Sequence, residues 1–139
     1  MIQLIVGEKG KGKTKILLDK VNSEIKNAHG SIVYLDKGTK HMYELNNKVR
    51  LIDVSSFNLA SSQEFIGFLY GVISQDHDLE QMYLDSFLTI AKTDEEQAGA
   101  LLDKLQEIGE QYGITFVISI SVTRDHIDDK YKEQIIAEL

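Results

Sequence analysis

The stretch that most constrains this chain is Gly7-Glu8-Lys9-Gly10-Lys11-Gly12-Lys13-Thr14. A short apolar run, Ile2-Gln3-Leu4-Ile5-Val6, precedes it. Residues 13–28 follow it, with Ile16, Leu17, Val21, Ile25 and Ala28 at helical spacing. Strand, glycine-rich loop and helix in that order point to an α/β architecture with a buried first strand. The glycines let the backbone turn tightly enough for successive N–H groups to converge into an anion-binding nest. The helix adds its unpaired first-turn N–H groups and the positive end of its dipole.

The spacing G-x-x-x-x-G-K-T is the P-loop, or Walker A, pattern, and its chemistry is phosphate binding. Lys13 is expected to reach the β- and γ-phosphates of a nucleotide. Thr14 is expected to offer its hydroxyl to Mg²⁺. Gly7, Glu8, Lys9, Gly10, Lys11, Gly12 and Lys15 complete the candidate phosphate-binding set. The competing reading, a flexible glycine–lysine turn, leaves the flanking strand and helix unexplained.

A chain of 139 residues is expected to form one domain over residues 1–139. It contains no cysteine, which excludes disulfides, cysteine metal sites and a cysteine nucleophile. No apolar run is long enough to span a bilayer, so the expectation is a cytoplasmic protein without membrane insertion. The net charge of −7 does not point to nucleic acid as a partner.

Further along, Ser31–Leu35, Val49–Val54, Gln81–Asp85 and Ile114–Val122 read as four more strands. Ser61-Ser62-Gln63-Glu64 and Thr93-Asp94-Glu95-Glu96 read as capping boxes that start two helices, and Gly113 ends the second. Residues 126–139 carry Ile127, Tyr131, Ile135 and Leu139, a spacing that predicts a final amphipathic helix. The alternation predicts a three-layer α/β/α fold with a parallel five-stranded sheet. The ligand crevice then lies at the C-terminal ends of the strands.

Asp85 closes an apolar strand about 70 residues after the loop, the place of the Walker B acid that holds Mg²⁺, usually through a water. Lys13 and Asp85 are the candidate catalytic residues, and Thr14 and Asp85 the candidate metal residues. Asp53 and Asp36 end neighbouring strands and are the alternatives to Asp85, each also suited to a turn. Ser119 and Ser121 alternate on the fifth strand, where one can sense a γ-phosphate or simply bond to backbone. Arg124 can meet phosphate or form a surface pair with Asp125 or Asp128. His29, His41, His77 and His126 have no ligand spacing.

These residues resemble the P-loop NTPases, and within them the RecA-like (ASCE-type) ATPases in a minimal single-domain form. The resemblance rests on the order of elements: the P-loop strand, then Gly30–Asp36, a third strand, Met82–Asp85 and Thr115–Ser119. It implies a strand order of 3-2-4-5-1, ATP and Mg²⁺ as cofactors, and weak or partner-activated ATP hydrolysis. The group commonly carries a catalytic glutamate after the second strand or beside the Walker B acid. Here Lys37 and Gly38 follow Asp36, and Ser86 follows Asp85. That departure keeps open a non-catalytic nucleotide-sensing adaptor or subunit of a larger ATP-driven assembly, working with a protein partner or a second copy. A small-molecule or nucleotide kinase fits less well, because Arg50 and Arg124 are the only arginines. ATP is favoured over GTP because no N-K-x-D motif is present.

Overall fold

The computed structural model describes residues 1–139. Its strands are β1 (Ile2–Val6), β2 (Ser31–Asp36), β3 (Arg50–Asp53), β4 (Leu79–Leu84), β5 (Thr115–Ile120) and β6 (Ile135–Glu138). They form one sheet in the order β3-β2-β4-β5-β1-β6, and every neighbouring pair is parallel. The helices are α1 (Lys13–Glu24), α2 (Ser62–Ser74), α3 (Phe87–Ile90), α4 (Ala98–Tyr112) and α5 (Asp129–Lys132).

Burial explains the strand sequences. In β5, Phe116, Val117, Ile118, Ser119 and Ile120 are all buried, as expected of a parallel strand covered on both faces. On one face α1 lays Leu17, Leu18 and Val21, with Ile25 just beyond its end, against Ile5, Ile32, Tyr34 and Val117. The other face holds the larger core, where α2, α3 and α4 pack on Leu4, Val33, Met82 and Phe116.

The helix starts follow their capping chemistry, with one shift. Ser61 Oγ accepts from Glu64 N at 3.2 Å, while Glu64 Oε1 accepts from Ala60 N at 3.0 Å, one residue earlier than in a regular box. The second box does not form at Thr93. Asp94 Oδ1 instead accepts from Gln97 N at 2.9 Å, and α4 begins at Ala98. Asp94 thus closes the turn before α4, whose own N-cap residue, Gln97, makes no side-chain cap.

The expected final helix and the five-stranded count are both corrected. Residues 129–132 make one helical turn, and Ile135–Glu138 then pair in parallel with β1 as a sixth strand. The periodicity of Ile127, Tyr131 and Ile135 suits a helix, but β1 would otherwise present an unpaired edge. Leu4 N donates to Gln134 O and Leu139 N to Val6 O, each at 2.9 Å. The adjacent β-branched Ile135 and Ile136 also favour extended backbone. The edge bonds and this preference outweigh a short terminal helix, which is marginal by itself. Gly7 lies against the sixth strand so closely that a Cβ there would meet Leu139 O at 2.8 Å.

Because all strands run the same way, the segments after β1, β2, β4 and β5 emerge at the same end of the sheet. The glycine-rich loop, Lys37, Asp85 and Ser121 gather there. No helix is long and apolar enough to cross a membrane.

Candidate functional site

The glycine-rich loop is pinned at its start by Gly7 N donating to Val122 O at 2.9 Å. Gly12 precedes the first residue of α1 with φ 96°, a left-handed conformation that side-chain-bearing residues rarely adopt. Lys13 opens α1 and is only 8% exposed. Its Nζ donates to Gly7 O and Glu8 O, both at 2.9 Å, so the ammonium is folded back over the loop. Burial lowers its pKa from the ordinary lysine range, and the charge of Asp85 opposes that shift.

A crevice of about 250 Å³ opens above Lys13, with no apolar residue in its lining. Lys9, Gly10, Gly12, Lys13 and Thr14 line it from the loop, and Lys37, Asp85, Ser86, Ser119 and Ser121 from the strand ends. Four of the sequence-expected set lie outside it. Gly7 and Glu8 supply the carbonyls that hold Lys13. Lys11 is exposed. Lys15 points along α1 to Asp19 at 3.4 Å.

Asp85 is 2% exposed and fully engaged. Its Oδ1 accepts from Thr14 Oγ1 at 3.1 Å and from Ser119 Oγ at 2.8 Å. Its Oδ2 accepts from Tyr34 Oη at 2.8 Å. Ser119 Oγ in turn accepts from Ser86 N at 2.9 Å, tying β5 to the turn after β4. Burial first, and then the charge of Asp85, drive the Tyr34 phenol pKa far above its usual value. Tyr34 Oη is the donor in this bond.

Thr14 Oγ1 donates its hydrogen to Asp85 Oδ1 and keeps its lone pairs free for a cation, whereas Asp85 Oδ1 already accepts two hydroxyls and would hold Mg²⁺ through a water. No group of three or more metal-ligating His, Cys, Asp or Glu side chains gathers anywhere in the chain. Phosphate oxygens and water would have to complete the shell, the usual habit of Mg²⁺ at phosphate sites.

The alternative acids have other partners. Asp36 is 3% exposed and accepts from Lys37 N at 2.7 Å. Burial raises its pKa, and the charge of Asp85 adds to the rise. Asp53 holds the turn after β3, accepting from Ser55 N at 3.0 Å, Ser55 Oγ at 2.6 Å and Ser56 Oγ at 3.1 Å. Arg124 does not line the crevice. It pairs with Glu138 at 3.7 Å, not with Asp125 or Asp128, because β6 brings that glutamate alongside. His29, His77 and His126 are exposed, and His41 Nδ1 lies 2.6 Å from Glu44 Oε2.

Sequence reasoning missed Tyr34 and Lys37. The available signal was positional: Tyr34 stands two residues before Asp36 on the same strand, and Lys37 follows the strand's last residue. No protein-family model matches this chain, and no curated protein matches it.

Proposed function

We propose that this chain binds ATP with Mg²⁺ in the crevice above Lys13 and acts as a weak or partner-activated Mg²⁺-dependent ATPase of RecA-like type. The observation that carries the reading is the meeting of Lys13, Thr14 and Asp85 in one wholly polar crevice. A buried cation held only by loop carbonyls is ready to exchange them for phosphate oxygens, which are charged acceptors and therefore stronger. The strand order, with β5 between the loop strand β1 and the Asp85 strand β4, also supports the RecA-like assignment. In this reading Lys13 neutralises phosphate charge, Thr14 and Asp85 hold the metal, and the loop N–H groups cradle the remaining oxygens. Bound Mg²⁺ would polarise the terminal phosphate.

A second reading, a nucleotide sensor without hydrolysis, is favoured by one observation. Asp36 and Asp85 are both engaged by protein donors, and Gly38 and Ser86 stand where a glutamate would orient water.

Calorimetric titration with ATP·Mg²⁺ tests the binding step. Removing the charge-assisted contact by Lys13→Ala should cost roughly 1.5–3 kcal/mol, about a 10- to 150-fold loss of affinity. Equal affinity in the two proteins would refute the assignment.

A further inference from the structure

A second cavity, of about 400 Å³, opens beside the phosphate crevice and shares Lys37 with it. Val54, Leu59 and Ile90 give it an apolar floor, and Lys37, Asn58 and Lys92 stand among its polar lining. A volume of this order is in the range that holds small organic ligands. No acidic residue lines it. Neither Lys37 nor Lys92 forms an ion pair anywhere in the molecule. In a chain of net charge −7, an acid-free lining that holds two lysines outside any ion pair favours an anion, even though the charge of Lys37 also reaches the buried Asp36.

The backbone gives an independent observation. Three residues other than glycine have positive φ: Asn58 at 51°, Ser86 at 56° and Lys92 at 55°. Asn58 and Lys92 line this cavity, and Ser86 lines the phosphate crevice. Lys92 follows the last turn of α3, where a left-handed residue is ordinarily glycine. The chain instead accepts a disfavoured conformation and carries a lysine there. Such departures cluster at functional sites.

We propose that this cavity is a second ligand site, for a small organic anion with an apolar body. The anionic group lies between Lys37 and Lys92, and the body rests on Val54, Leu59 and Ile90. Because Lys37 faces both cavities, two anionic ligands share one cation and each weakens the binding of the other. The site stands on its own observations; only this coupling rests on the nucleotide reading.

The test is a fluorescence titration of the full chain with anilinonaphthalene sulfonate, an anion on an apolar body. Saturable binding is expected, with Lys92→Gly weakening it about fivefold or more through loss of a charge-assisted contact. Glycine adopts the φ of Lys92 freely, so this variant should keep the thermal midpoint of the wild type or exceed it. Lys92→Asn, also tolerant of that conformation, serves as a second variant. Saturating ATP·Mg²⁺ should weaken the probe in the wild type and not in Lys37→Met. No binding, or affinity indifferent to both Lys92 variants, overturns the site. Equal probe affinity with and without bound ATP·Mg²⁺ overturns the coupling. If calorimetry shows no ATP binding while the probe remains sensitive to Lys92, the nucleotide reading fails and the second site stands.

Discussion

Tyr34→Phe removes one oxygen from the centre of the molecule and leaves nearly everything else in place. The ring stays stacked on Tyr83, whose centroid lies 6.1 Å away at an interplanar angle of 12°. The loss is the 2.8 Å bond to Asp85 Oδ2. Asp85 is 2% exposed, so water has little access to replace the donor. A hydrogen bond to a charged group contributes about 1.5–3 kcal/mol, and a stranded buried acceptor costs a similar amount. The expected destabilisation is therefore about 2 kcal/mol, a fall in melting temperature of roughly 5–12 °C for a domain of this size. Urea unfolding at pH 7, followed by circular dichroism, measures it without relying on tyrosine emission. In an Asp85→Asn background the same substitution should cost only ~0.5–1.5 kcal/mol, because the acceptor is then neutral. A Tyr34→Phe protein as stable as the wild type, or an equal loss in both backgrounds, would refute the view that this phenol secures a buried carboxylate.

Asp85→Asn should lower the Mg²⁺-dependent part of ATP affinity by roughly 10- to 100-fold and leave metal-free binding nearly intact, as calorimetry with and without Mg²⁺ would show. Asp53→Asn should change neither affinity, since Asp53 holds the turn after β3 and does not line the crevice; the reverse pattern would exchange their roles. The purified chain should hydrolyse ATP well below the ~1–10³ s⁻¹ of ordinary enzymes, because a water-positioning group commonly supplies ~10²–10⁴-fold; phosphate release near ten per second would contradict this. Asp36→Asn should stabilise the fold at pH 7. Its folded-state pKa lies above the unfolded value, so ionisation costs stability once the pH exceeds the folded value. That cost is relieved as the pH falls through the folded value toward the unfolded one. The gain from Asn should therefore shrink toward pH 3, and a constant gain in melts across pH 3–8 would exclude this cause.

The fold was legible where sequence pattern and tertiary environment agree. The apolar strands β1, β2, β4 and β5 are buried on both faces, so their composition alone marked them. The C-terminal stretch misled because Ile127, Tyr131 and Ile135 satisfy a helical period, whereas the edge of β1 is a partner that no local window contains. At Thr93-Asp94 two capping residues are adjacent, but the acid closes the turn that precedes α4 and neither caps the helix itself.

The candidate site was legible as a loop and only partly as a constellation. Local spacing identifies Lys13 and Thr14, because loop and helix are contiguous. Asp36, Asp53 and Asp85 look alike in sequence, since each ends a strand. What separates them is cross-strand register. Leu84 pairs with Ile118, which brings Asp85 beside Ser119, and Ser119 pairs with Ile5, two residues before Gly7. Tyr34 pairs with Tyr83 on the other side, within reach of the same carboxylate. Those bonds span 71, 51 and 34 residues of sequence, well beyond any helical or strand period. Asp85 is thus distinguished by its three hydroxyl partners, and those partners become visible only when the order β2-β4-β5-β1 is known. The same order puts Lys37 between the two cavities. A lysine that looks like loop solvation in the sequence is in the fold the one residue that lines both.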